Sequence, residues 1–354
     1  MNKQWALSLT LWTVVTSAAA AASQPSYTVT DLGTLPGGHY SRATALNNNG
    51  QVVGWADTGA TQNPLTAHAF LWERGRMRDI DTFPNRQQAP GTVACAINDQ
   101  GEVVGGVEPV FQGQGILTGS YLFQNVGWLW RKGQMQTIGR DAVAINDKGQ
   151  VVIKNNQQSL IWQNGKTEAV PPLPGFQSIT VTCLNSDGDV AGYGANGPGD
   201  NKGFVRLGGK VSLLGTLRGD NTSRAVAMND RGQVIGMSLN DFYEKKGNST
   251  TSGTRSLRAF FWQDGKLTDL GNRIVSGIGN QGEVLGTYYQ PTAAGTGTTI
   301  AFLWQGGKFT DLNALIDSSS GWKLEEARAI NDHGQIVGYG EHNGQEHGFL
   351  LTPE

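Results

Sequence analysis

Ala96-Ile97-Asn98-Asp99-Gln100-Gly101-Glu102-Val103-Val104-Gly105 is one copy of the run that decides the fold: small, apolar, Asn, two turn residues, Gly, polar, two apolar residues, Gly. It recurs seven times after Ser26. The Asn slot holds Asn47, Asn98, Asn146, Asn185, Asn229 and Asn331, with Gly279 the exception, and the next Gly is Gly50, Gly101, Gly149, Gly188, Gly232, Gly282 and Gly334. Asn-x-x-Gly between β-branched stretches reads as a hairpin turn, because the Asn side chain can bond nearby backbone and Gly supplies the positive φ that ends the turn. Outward from it, each unit carries a second hairpin, as in His68-Ala69-Phe70-Leu71-Trp72, then Glu73-Arg74-Gly75, then Arg76 to Ile80. We letter the four strands of a unit A to D in chain order. Successive units are 39 residues apart at the shortest (Gly149 to Gly188) and 52 at the longest (Gly282 to Gly334), the size of a four-stranded propeller blade.

The ends of the array argue for a closed ring. The seventh unit supplies strand A (327–331), strand B (335–339) and strand C (347–351), and no strand D follows. Tyr27-Thr28-Val29-Thr30-Asp31-Leu32-Gly33 matches the strand D sequence Lys266 to Gly271. An orphan strand at one end and a vacancy at the other are what closure requires, since closure removes exposed sheet edges. The expectation is an all-β chain, a seven-bladed β-propeller of four-stranded antiparallel blades closed by the N-terminal strand, forming one domain over 23–354.

Fifty glycines with only 16% charged residues fit turn-rich β-structure rather than a helical bundle. A net charge of -2 offers nucleic acid no electrostatic footprint. Residues 1–22 read as a signal peptide: Lys3, an apolar core from Trp5 to Val15, and the small tract Ala18 to Ala22 before a cleavage site near Ser23. No later stretch approaches the roughly 18 apolar residues of a membrane helix. A secreted or periplasmic chain, not inserted in a membrane after cleavage and acting as a monomer, is expected.

The strand His68 to Trp72, its variants Arg258 to Trp262 and Ile300 to Trp304, the run Asp31 to Gly38, and Ala-Ile-Asn-Asp-x-Gly at 96–101 and 144–149 resemble the bacterial extracellular repeat family named for its HAF tripeptide. The resemblance covers residues 27–354 and implies an extracellular location, but it carries no catalytic residues over. The third and fourth units depart most, with Ile153 in place of the strand B Gly and Arg206 in place of the strand C Trp.

The repeated polar residues favour structural roles. Calcium needs six to eight converging oxygens, and Asp99, Asp147, Asp230 and Asp332 are read as belonging to separate turns that do not converge. Strand D aspartates (Asp31, Asp79, Asp269, Asp311) are read as hydrogen-bonded strand ends. His68 and His347 share a slot with Arg258 and Ile300, and His39, His333 and His342 are read as loop or turn residues without metal-ligand spacing. No metal, cofactor or catalytic group is assigned. The strand C tryptophans (Trp72, Trp130, Trp162, Trp262, Trp304) read as core. Cys95 and Cys183 lie in blades separated by a whole blade and are expected to be buried free thiols.

Connections A to B and C to D are short, whereas B to C and D to A vary and emerge on one side, making an elaborated face suited to ligands. Five residues before the Asn slot stand Arg42, Val93, Asp141, Thr180, Arg224, Ile274 and Glu326. The four charged ones are expected at the channel mouth as polar contacts, with Tyr40, Phe242, Tyr243, Tyr288, Tyr289 and Trp322 on the elaborated loops as stacking surface. This reading favours a non-enzymatic binding or scaffold module for a glycan, polymer or protein. The alternatives are a polysaccharide-acting hydrolase or lyase, and a structural surface protein without a discrete ligand.

Overall fold

The computed structural model describes residues 26–59, 67–82, 91–107, 126–155, 158–197, 199–246, 249–291 and 297–354, giving backbone alone for 243–246 and 249–251. The leader expected at 1–22 lies outside these residues. Seven four-stranded antiparallel sheets are present, six with their strands in chain order, such as Ser41–Leu46, Val52–Asp57, Ala67–Glu73 and Arg76–Asp79. In the seventh, Trp322–Ile330, Ile336–His342 and Gln345–Pro353 are completed by the chain's first strand, Tyr27–Asp31. Its register runs from Tyr27 opposite Pro353 to Asp31 opposite Phe349. The seven A strands touch one another in a closed cycle, so they form the inner wall. Among the described residues, no helix is long and apolar enough to cross a membrane.

One device repeats in all seven blades. The register of strand A against strand B slips three residues before the Asn slot, leaving Thr44, Cys95, Val143, Thr182, Val226, Ser276 and Arg328 as the extra residues of β-bulges. The bulge brings the carbonyl two residues earlier against the strand B glycine: a Cβ on Gly54 would lie 2.0 Å from the Arg42 oxygen, and one on Gly338 1.9 Å from that of Glu326. Gly54 also faces Phe70 across the ladder, and Gly338 faces Phe349. The absent side chain therefore makes room for a strand C aromatic that is wholly buried between blades.

Blade 3 inverts this arrangement. Ile153 occupies the glycine position and Leu160 the aromatic one, so bulk moves from strand C to strand B. Strand A of this blade begins at Ala142, so Asp141 falls just outside it, although its carbonyl still accepts from Lys154 N at 3.0 Å. The five strand C tryptophans are 5 to 8% exposed and complete the core between sheets.

The elaborated face differs in part from expectation. The B to C connections of blades 5 and 6 are hairpin arms rather than loops: Val234–Lys246 pairs with Ser249–Gln263, and Val284–Pro291 with Gly297–Gln305. Phe242, Tyr243, Tyr288, Tyr289 and Trp322 thus sit on strands rather than loops. Aromatic pairs on one strand of each arm (Phe242 and Tyr243, Tyr288 and Tyr289) and threonines on the other (Thr250, Thr251 and Thr254, Thr298 and Thr299) continue the ladder beyond the blade. The connection at 108–125 lies outside the described residues.

Candidate functional site

The seven A to B turns do converge, which corrects the expectation that they stand apart. They line one cavity of about 270 Å³ at the A-to-B turn end of the channel. Asn47 Nδ2 donates to the Asn98 carbonyl, Asn98 to that of Asn146, Asn146 to that of Asn185, Asn229 to that of Gly279, and Asn331 to that of Asn47, at 2.9 to 3.1 Å. Meanwhile each Asn Oδ1 caps its own turn, as Asn331 does for His333 N and Gln335 N. The next residues form a second ring: Asp99 accepts from Asn48 N, Asp147 from Asp99 N, and Asp230 from Ser186 N. Asp332 accepts from the amides of both Asn48 and Asn280. These carboxylates are held by N–H donors of the neighbouring blades.

At the opposite end, the position that starts strand A faces the strand B residue after the glycine: Arg42 opposite Trp55, Thr180 opposite Tyr193, Arg224 opposite Met237, Glu326 opposite Tyr339. All four predicted charged residues stand at this end, in two different states. Arg42 donates twice to Glu346 of blade 7, at 2.6 and 2.7 Å, while its guanidinium lies over Tyr339 at 4.2 Å and Trp55 at 5.3 Å. Glu326 is held by the Tyr339 hydroxyl and by Arg328 at 2.8 Å. Burial and the Glu326 charge push the Tyr339 phenol upward. This pair of charges is spent on joining strands and blades.

Asp141 and Arg224 are in a different state. Arg224 lies over Tyr193 of blade 4 at 5.3 Å, and its Nε is buried without a hydrogen-bond partner. Asp141 Oδ1 is likewise buried without one. Burial raises the Asp141 carboxyl above its ordinary value, against the downward pull of its own backbone N–H, Lys154 and Arg140. The Lys154 field also reaches the thiols of Cys95 and Cys183. Trp55 Nε1 is a further buried donor without a partner. Buried polar groups left open in this way are uncommon and mark places that water or a ligand completes.

The predicted aromatics do not gather at one place. Tyr40 packs edge-on to Trp55 at 5.7 Å, near Arg42. Phe242 lies under Arg255 on the blade 5 arm, Tyr288 packs on Phe302, and Tyr289 is 59% exposed. The Tyr243 side chain lies outside the described ones. Trp322 stacks on His342, with centroids 4.6 Å apart and planes 3° apart. The sequence reading missed Trp55, Lys154, Tyr193 and Tyr339, although their shared place after the Val-Val-Gly of strand B was a usable signal. His342 ends strand B of blade 7 rather than lying in a loop. Both cysteines are free; Cys183 is buried but Cys95 is partly exposed, which corrects the expectation of two buried thiols.

The fold and its two channel ends define a closed seven-bladed β-propeller. No family model and no curated protein matches the chain. Solved structures do. A catalytically inactive virginiamycin B lyase from Staphylococcus aureus, solved with quinupristin, is similar over 93% of this chain and 100% of its own, at 11% identity and TM-score 0.52. The propeller domain of the Trilobed protease from Pyrococcus furiosus aligns over 74% of this chain and 82% of its own, at 10% identity and TM-score 0.43. TolB from Acinetobacter baumannii aligns over 73% and 62%, at 10% identity and TM-score 0.42. Likeness at these identities is likeness of fold.

Proposed function

We propose that the chain is an exported, non-enzymatic binding module of the HAF-repeat kind, acting as a monomer and taking its ligand at the end of the channel opposite the A-to-B turns. The observation that carries this reading is that Arg224 Nε, Asp141 Oδ1 and Trp55 Nε1, one each on blades 5, 3 and 1 at that end, are buried without a hydrogen-bond partner. The Tyr193 ring beside Arg224 adds stacking surface. Arg42 is paired with Glu346 and Arg328 with Glu326, whereas the fields of Lys154 and Arg140 act on Asp141. A cation set against an aromatic ring, as Arg224 is against Tyr193, suits a glycan segment bearing an acidic group. The leader read at 1–22 supports export.

The test is a glycan array probed with the mature chain, alongside a hydrolysis screen of every glycan retained. Retention of acidic glycans without product, reduced at least tenfold by Arg224→Ala or Lys154→Ala, is the expected result; no retention of any glycan would leave the structural surface protein. A second reading, a polysaccharide-acting hydrolase or lyase, is favoured by one observation. A half-buried carboxyl raised above its ordinary value by desolvation, as that of Asp141 is, has the character of a general acid. Product in the screen, lost in Asp141→Asn, would establish it.

A further inference from the structure

On the same face but at the outer part of blade 7, three metal-ligating side chains meet from three strands. Asp31 ends the first strand of the chain, His342 ends strand B, and His347 stands in strand C. His342 Nδ1 is 2.9 Å from Asp31 Oδ2, and His347 Nδ1 is 3.0 Å from both carboxylate oxygens. The three donor atoms all lie within 4.8 Å of one another. The geometry points to a divalent metal site at the seam where the first strand joins the last, taking a first-row ion of the zinc class on Asp31, His342 and His347.

A structural pair alone does not account for the cluster. Blades 1 and 5 build the same strand C to strand D contact, His68 to Asp79 at 2.7 Å and Arg258 to Asp269 at 2.7 Å. There the basic group also meets a second carboxylate, Asp81 for His68 and Asp220 for Arg258. Gly33 holds in blade 7 the position that Asp81 holds in blade 1, two residues beyond the strand D aspartate, and a second imidazole comes in instead. Two imidazoles sharing one carboxylate are a donor set that suits zinc.

The dimensions agree. Donors at the corners of a tetrahedron with bonds of about 2.0 to 2.1 Å stand about 3.3 to 3.4 Å apart, so each Asp31 to histidine distance need lengthen by only about 0.4 Å, while the two imidazoles already lie within 4.8 Å of each other. Side-chain exposures of 31, 22 and 13% for Asp31, His342 and His347 leave an open side for a fourth ligand. Trp322, stacked on His342, fixes the ring. Asn343 reaches His342 Nε2 at 3.1 Å, and its amide, turned to present oxygen, would accept the Nε2–H as the outer partner a ligating His needs. The Gly33 N–H donates to Asp31 Oδ1 at 2.8 Å and orients the carboxylate toward the two rings.

The experiment is calorimetric titration of the mature chain, carrying no histidine tag, with Zn²⁺, paired with thermal unfolding in Zn²⁺ and in EDTA. One ion per chain and a midpoint about 4 °C higher at a hundredfold excess over the dissociation constant are expected. His342→Gln and Asp31→Asn should each abolish both effects, whereas His68→Gln should leave both intact. Should Asp31→Asn fail to fold, His342→Gln carries the comparison, because strand D keeps all its residues. Absence of binding, binding that survives His342→Gln, or binding lost in His68→Gln would each overturn the site and leave a hydrogen-bonded clasp; none of these outcomes bears on the channel ligand.

Discussion

Asn331 donates its Nδ2–H to the Asn47 carbonyl at 3.1 Å, passing from the last blade to the first the bond that Asn47 passes to Asn98. The Asn therefore does two jobs: its oxygen caps its own turn, and its amide joins the next one. Asn331→Ala removes both and leaves a buried carbonyl open, so a loss of about 1 to 3 kcal/mol is expected. Urea unfolding with an unchanged slope and a lower midpoint is the measurement. A midpoint equal to that of the parent would mean the ring of turns adds nothing to closure.

Removing residues 26–33 should destabilise the whole ring rather than fray one end. Tyr27–Asp31 covers the edge of Gln345–Pro353, whose Phe349 and Leu351 are fully buried, and deletion leaves that edge unpaired. The truncated chain should melt well below the parent and self-associate in sedimentation. A monomer that melts like the parent would refute closure as the source of stability.

The ring was legible because closure left two matching traces, a blade lacking strand D and an N-terminal strand spelling it. Seven aligned copies also exposed the strand B glycines, whose cause, the carbonyl lifted by the bulge, needs three dimensions. Site chemistry was legible only as position. Arg42 could be placed at the end of strand A, but not its neutralisation by Glu346, 304 residues away. The Asp31, His342 and His347 cluster carried a trace that went unused: where strand C begins with His or Arg in blades 1, 5 and 7, strand D carries Asp79, Asp269 or Asp31 opposite. In blade 6, where Ile300 fills that slot, Asp311 accepts from Asn313 instead.

Both thiols should resist alkylation in the native protein, for a reason beyond access. Burial pushes Cys95 and Cys183 up to about 12, so the reactive thiolate is scarce at neutral pH even for the partly exposed Cys95. Unfolding restores an ordinary thiol near 8.5. Because the folded state disfavours ionisation, stability contributed by the two thiols is full below about 8.5 and declines as pH rises toward about 12. Two labels should add after denaturation and almost none before. An intact mass two daltons light, with no labelling of unfolded chain, would reveal a disulfide instead.

Asp141, Arg224 and Arg42 should separate binding from stability at the channel mouth. Burial raises the Asp141 carboxyl, so its neutral form is the one the fold favours; the stabilisation exists below its unfolded value and is lost as pH climbs through the raised one. At neutral pH the ionised carboxylate is a strain, and Asp141→Asn should raise the melting temperature at pH 7 while leaving it unchanged near pH 3. Arg224→Ala removes a buried Nε without a partner and should cost little or nothing. Arg42→Ala, by contrast, breaks a two-pronged pair with side chains 23 and 32% exposed and should cost about 1 kcal/mol. Groups held at a cost to the fold are those a ligand repays. Arg224→Ala should therefore weaken retention of acidic glycans tenfold or more in a protein about as stable as the parent, Asp141→Asn should not weaken it because a negative charge leaves the ligand's surroundings, and Arg42→Ala should lower stability with a smaller effect on retention. The reverse ordering would move the site from the Asp141 and Arg224 side of the channel to the Arg42 and Glu346 seam.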